Sequence, residues 1–174
     1  ASTAGNSLLL TISDPDPLVV ADALLTLDKI GKTELAIQFA RKVMTDSEQC
    51  VYFVRVPAIE FYGRHRRQLS LEPVIDLYEQ TDSKEAQCAL LRVMSLSDWT
   101  DSQKYRSTIL QHLKDHLTWD DRELMLAAVE GIGSLGSDAN IMEKDLLLLA
   151  KSVGHSTPYS EAIFESLGKI GAKS

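Results

Sequence analysis

Ala23-Leu24-Leu25-Thr26-Leu27-Asp28-Lys29-Ile30-Gly31 sets core-type residues at offsets 0, 4 and 7 from an alanine and closes on a glycine. Those offsets share one stripe of an α-helix. A small anchor lets a neighbouring helix approach, and a closing glycine takes the left-handed conformation that ends a helix without steric cost. The same offsets return at Ala128, Ile132, Leu135 and Gly136, and again at Ile163, Leu167, Ile170 and Gly171. Two looser copies lie between them: Ala58, Tyr62, His65 and Arg66, then Ala89, Val93, Leu96 and Ser97. The anchors are therefore separated by 35, 31, 39 and 35 residues, a spacing characteristic of helix-hairpin repeats.

Working outward, the segments before the anchors carry start signals. Asp16-Pro17 and Thr157-Pro158 read as an N-cap followed by proline at the first helical position. Asp82 to Glu85 and Asp120 to Glu123 have capping-box spacing, with aspartate as the cap. The first (A) helices are expected near 16–31, 48–65, 83–97, 121–136 and 158–171. Between them lie apolar stripes of second (B) helices: Leu35, Ala36, Phe39, Ala40 and Val43; Leu71, Val74, Ile75 and Tyr78, opened by Ser70 with Pro73 in the first turn; Tyr105, Ile109, Leu110, Leu113 and Leu117; and Ile141, Leu146 to Leu149 and Val153. No stretch alternates with period two over a useful length, so the expected class is all-α. One A–B pair cannot bury its own apolar face, but stacked pairs can. Residues 1–174 are thus expected to form a single α-solenoid domain of about five helix hairpins. Leu8 to Leu10 read as the tail of a preceding B helix, and the last A helix has no B partner, which suggests a piece of a longer array.

Asp14-Pro15-Asp16-Pro17-Leu18-Val19-Val20-Ala21-Asp22-Ala23-Leu24, running on to Ile30-Gly31, resembles the first helix of a HEAT repeat of the phycobilisome-lyase-like type. That family's pattern has an inter-repeat Asp, then Pro or Val, Val-Arg, Ala, Ala-Leu and a closing Gly. Here Val20-Ala21 stands where Val-Arg is usual, and Val54-Arg55 in the second copy is followed by Ala58. The resemblance implies a right-handed superhelical stack with a concave binding face formed by the B helices. It does not imply an enzyme, although a lyase or accessory factor of that class is one reading it leaves open.

Bulk properties narrow the function classes. Hydrophobic residues at 44% and charged residues at 25% describe a folded chain rather than a disordered one. Aromatic content of 6% leaves few stacking platforms for single-stranded nucleic acid. A net charge of −7 opposes a phosphate backbone unless the cations segregate onto one face. Cys50 and Cys88 lie in apolar helical segments outside any CxxC and read as core thiols. Apolar runs such as Leu146 to Ala150 fall far short of a membrane span, and Ala1 to Asn6 lack the form of a signal peptide. Together these point to a cytoplasmic setting with no membrane.

Several motifs imitate catalytic or binding sites. Gly131-Ile132-Gly133-Ser134-Leu135-Gly136 spells GxGxxG, but a dinucleotide loop must follow a strand and open a helix, and this one follows a helical stretch. Gly31-Lys32-Thr33 imitates the end of a P-loop, yet Thr26 stands where the first glycine belongs, and Thr33 reads better as a helix cap. His112 and His116, spaced i and i+4, could place two imidazoles toward a metal, but two ligands do not close a shell. Arg64-His65-Arg66-Arg67, with Arg55 nearby, is the densest basic cluster and reads either as a solvated helix end or as an anion-binding ridge. No nucleophile–base pair stands out, and no cofactor is expected. The favoured expectation is a non-enzymatic scaffold binding a protein or peptide partner on the B-helix face, through Gln38, Arg41, Lys42, Asp76, Glu79, Gln80, Arg106, His112, Lys144 and Lys151. The basic residues Arg55, Arg64, Arg66 and Arg67 form its second candidate surface. Nucleic acid is the disfavoured partner, and the sequence sets no oligomeric state.

Overall fold

The structure, a computed structural model, describes residues 16–45, 52–118, 120–153 and 158–171. Leu8 to Leu10, Cys50 and the Thr157 cap lie outside them. Among the described residues there are nine α-helices and no strand: α1 (Pro17–Lys29), α2 (Thr33–Thr45), α3 (Tyr52–Arg64), α4 (Glu72–Gln80), α5 (Lys84–Met94), α6 (Ser102–Asp115), α7 (Arg122–Leu135), α8 (Glu143–Val153) and α9 (Pro158–Gly171). Short 3-10 turns follow α3 (Arg66–Gln68) and α7 (Gly136–Met142).

Local chemistry explains where these helices start and stop. Asp16 caps α1 by accepting from the Leu18 N–H at 2.9 Å, with Pro17 just inside. The caps of α5 and α7 fall one residue later than the sequence spacing indicated. Ser83, not Asp82, accepts from Ala86 N–H, and Asp121, not Asp120, accepts from Glu123 and Leu124. In each case the later residue has the extended backbone of a cap and its oxygen reaches the first turn. Thr33 does not cap α2. Its hydroxyl donates instead to Asp28 at 2.6 Å, tying the end of α1 to the start of α2. At the end of α1, Gly31 adopts φ +75°, and the Lys32 and Gly31 N–H groups return to the Leu27 and Asp28 carbonyls. That paired closure satisfies carbonyls the helix leaves open. It also accounts for Gly31-Lys32-Thr33 without any phosphate loop.

Packing follows a simple order. α1, α3, α5, α7 and α9 form a row in which each helix lies on the next, and α2, α4, α6 and α8 each pack against the row helix that follows them. The anchors Ala23, Ala58, Ala89, Ala128 and Ile163 are all buried, as are the residues three before them: Val20, Arg55, Ala86, Met125 and Ser160. The position after each anchor is fully buried at Leu24, Ile59, Leu90 and Val129. Offset 7 behaves differently from the sequence reading. Ile170 lies inside α9 and is buried, but Ile30 caps the C-terminus of α1 and is 54% exposed.

Glycines set the closest approaches. A Cβ at Gly131 would stand 2.5 Å from the Ser95 hydroxyl on the preceding side, and one at Gly133 would stand 2.7 Å from the Ser166 hydroxyl on the following side. Both lie within α7, so the GxGxxG spelling records helix-to-helix contact on two flanks. Polar links stitch neighbouring pairs along the turns. Ser70 Oγ and the Leu71 N–H both donate to Asp101, at 2.7 and 2.9 Å, and Thr100 Oγ1 donates to the Leu69 carbonyl at 2.9 Å. Between row helices, Lys84 pairs with Asp121 and Arg92 with Glu130, each at 2.8 Å.

Candidate functional site

The second helices form the surface the sequence singled out. α2 buries Ala36, Ile37, Ala40, Val43 and Met44, which turns Gln38, Arg41 and Lys42 to solvent. α4 buries Val74, Ile75, Leu77 and Tyr78 and exposes Asp76, Glu79 and Gln80. α8 buries Leu146, Leu149 and Ala150 and exposes Lys144 and Lys151. Shallow hollows separate neighbours in this set. One of about 210 Å³ lies between α2 and α4, lined by Arg41, Thr45, Glu72, Asp76 and Gln80 over Pro73 and Leu77. Another of about 360 Å³ lies between α6 and α8, with Leu117, Leu148 and Leu149 on its floor and Lys114 paired to Asp145 at its side. Leu148 is 64% exposed.

Between α4 and α6 the surface closes over a small aromatic cluster. The Tyr78 ring lies 4.6 Å from that of His112, and its hydroxyl is hydrogen-bonded to His116 Nε2. His112 Nε2 faces the Glu79 carboxylate at 3.9 Å. Burial pushes the Tyr78 phenol up to about 12, with Asp115 and Cys88 adding to the shift. The phenol therefore keeps its proton and donates it. Burial likewise lowers the His116 imidazole from its ordinary 6.5, which outweighs the opposing pull of Asp115. These groups do not converge as a metal site: no set of three or more His, Cys, Asp or Glu among the described residues could hold an ion. His116 is instead a neutral acceptor that pins α4 to α6.

That arrangement makes stability pH-dependent. Folded His116 binds its proton less readily than unfolded His116, so its contribution is complete above the unfolded pKa. The contribution is lost as pH falls from there through the folded value. The urea midpoint is expected to drop between about pH 7.5 and 5.5, and His116→Gln is expected to flatten that slope. Equal slopes for both proteins would refute the assignment. The carboxylates whose pKa is lowered, Asp121 by its hydrogen bond to Lys84 first of all, act at lower pH and leave this window clear.

Two arginines of the basic cluster are tied to the turn after α5. Arg66 Nε donates to the Ser97 carbonyl at 2.6 Å, and Arg67 pairs with Asp98 at 3.3 Å. His65 lies 3.6 Å from Asp28 on the other side. Asp98 is the non-glycine residue with positive φ, +73°, among those described, and the two arginines hold the turn that contains it. Arg64 is exposed. Arg55 corrects the sequence reading: at 8% exposure it is buried in the helix row, at the position three before its anchor, and belongs to no exposed surface. Arg106 is also redirected, since its guanidinium donates to the Asp138 carbonyl at 2.7 Å and draws α6 toward the turn after α7.

Two further hollows escaped the sequence reading. One of about 210 Å³ lies between the turn after α5, the start of α6 and the end of α7, with Met94, Leu96, Ile109 and Leu135 facing Ser102, Arg106 and Asp138. Its lining comes from three separate segments, so no local pattern announces it. The other, about 300 Å³ and open, spans α3, α5 and α7 and includes Glu60, Glu85, Cys88 and Glu123. Burial raises the Cys88 thiol above its ordinary range, which keeps it protonated and unreactive. No helix among the described residues is long and apolar enough to cross a membrane. Compared with known proteins, the sequence matches no family model and no curated protein.

Proposed function

We propose that the chain is a segment of an α-solenoid of HEAT-like hairpins that works as a non-enzymatic scaffold, with a protein or peptide partner lying across α2, α4, α6 and α8. The observation that carries this reading is the hollow between α6 and α8, which exposed Leu148 lines together with Leu117 and Leu149 beside the Lys114–Asp145 pair. Such a surface suits a segment that inserts one large apolar side chain and carries charges of both signs on either flank. The exposed groups of α2 and α4, Arg41 and Lys42 against Asp76 and Glu79, continue the mixed pattern and do not favour a purely anionic ligand.

The reading is tested by capturing host proteins on the immobilised chain and comparing variants. Leu148→Asp and Arg41→Glu should reduce capture of the same partner at least about tenfold. Glu123→Lys on the opposite hollow and Arg67→Glu at the turn should leave it intact. Equal capture by all four variants would rule out the second-helix surface, and loss confined to Arg67→Glu would transfer the role to the basic turn.

A further inference from the structure

The open hollow of about 300 Å³ that spans α3, α5 and α7 is lined by row helices alone. Val56, Ala89 and Leu126 give it an apolar lining, one residue from each helix. Cys88 lies beside them, 8% exposed, with a free thiol that makes no hydrogen bond to a described residue. Each helix also adds one exposed glutamate to the rim: Glu60, Glu85 and Glu123. The cations of α5 do not neutralise them. Lys84 turns to Asp121 and Arg92 to Glu130, each at 2.8 Å. Among the described residues Glu60 and Glu123 pair with no cation, and Glu85 accepts only a neutral donor side chain, the Ser83 hydroxyl at 3.0 Å.

We infer that this hollow is a docking site for a basic peptide segment, which lays the alkyl stems of two or more lysine or arginine side chains on the apolar lining and sets their charged heads against Glu60, Glu85 and Glu123. Charge complementarity selects this occupant. Three carboxylates without a cation, around an apolar patch, repel an acidic or phosphate-bearing ligand. They also do not converge on a point. No set of three or more His, Cys, Asp or Glu among the described residues could hold a metal ion, so one small cation cannot serve all three. Several cations spaced along one backbone can. Long basic side chains suit both parts of the surface, because their stems bury while their heads stay in water. A second copy of this chain is a poorer occupant. Its net charge is −7, and Arg66 and Arg67 of its densest basic cluster are already tied to Ser97 and Asp98. α3, α5 and α7 are interior to the helix row, so further hairpins beyond α1 or α9 would leave the hollow as it is. The inference concerns a different surface from the α2–α8 face and does not depend on the partner-binding reading.

Three packed helices span about 20 Å, which an extended peptide of about eight residues covers. The test is fluorescence anisotropy of the full chain with a labelled peptide of that length made of lysine, alanine and leucine. The expected Kd is about 10–100 µM at low salt, weakening about fivefold or more when salt is raised to about 0.3 M. Glu60→Gln combined with Glu123→Gln should weaken binding about fivefold, with helix content and melting temperature unchanged because both side chains are exposed. Asp76→Asn combined with Glu79→Gln removes the same charge from α4 and should leave binding unchanged. A benzophenone on the probe should crosslink to α3, α5 or α7, as mapped by mass spectrometry. No binding at low salt overturns the inference, and so does equal binding of a peptide with glutamate in place of each lysine. Equal affinities for the wild-type chain and the Glu60 and Glu123 double variant overturn it too. So do equal losses in the two double variants, which would mean attraction to an acidic chain at large, and crosslinks confined to α4.

Discussion

Replacing Gly131 with valine should destabilise the fold by about 3 kcal/mol, through overpacking between three helices. The added Cβ alone would lie 2.5 Å from Ser95 Oγ and 2.8 Å from a Leu113 methyl. Ser95 has little room to yield, because it is fully buried and its hydroxyl is committed to the Leu91 carbonyl at 2.7 Å. The backbone of α7 must therefore move away from α5, or Leu113 must leave its place at the core of α6. Urea unfolding followed by far-UV circular dichroism measures the loss. Gly168→Ala supplies the control, since it meets open space and gains helix propensity; a rise of about 0.5–1 kcal/mol is expected. If both variants shift stability equally, close approach at Gly131 is not what the glycine provides.

Leu90→Ala is expected to cost about 3–4 kcal/mol, within the range for deleting a fully buried leucine from a core that cannot collapse around the gap. Leu90 is fully buried on α5, one residue past its anchor, and α5 lies between α3 and α7 in the helix row. The same substitution at Leu148, 64% exposed on α8, should change stability by less than about 0.5 kcal/mol. Comparable losses at the two sites would mean that burial in the row does not govern stability.

How far the sequence leads depends on how local each signal is. The all-helical class follows from apolar stripes and caps that lie within a dozen residues of one another, and the helices form where those stripes run. The small anchors Ala23, Ala58, Ala89 and Ala128 are buried even where the surrounding pattern is loose. Caps are less sharply legible. Asp82-Ser83 and Asp120-Asp121 each offer two candidate oxygens, and in the fold the second of each pair accepts from the first turn. Arg55 was misplaced by its charge, although its position three before an anchor is a buried one in every row helix. The ties of the basic cluster were hidden for another reason. Its partners Ser97 and Asp98 lie 31 residues away, in a turn whose left-handed Asp98 no short-range pattern announces.

The order of packing also bears on how the molecule comes apart. Substantial contact joins each helix only to its first or second successor, and the polar links between Ser70 and Asp101, Lys84 and Asp121, and Arg92 and Glu130 span 31 to 38 residues. Among the described residues, no element clasps the two ends together across that row. Amide protection should therefore grade from a maximum around α5 to minima at α1 and α9, with fraying from both ends. A lesion such as Leu90→Ala would weaken the middle of the row and allow the flanking halves to melt separately, so that one transition becomes two. The row thus behaves as a chain of couplings, whose cooperative length is set by its weakest interior joint.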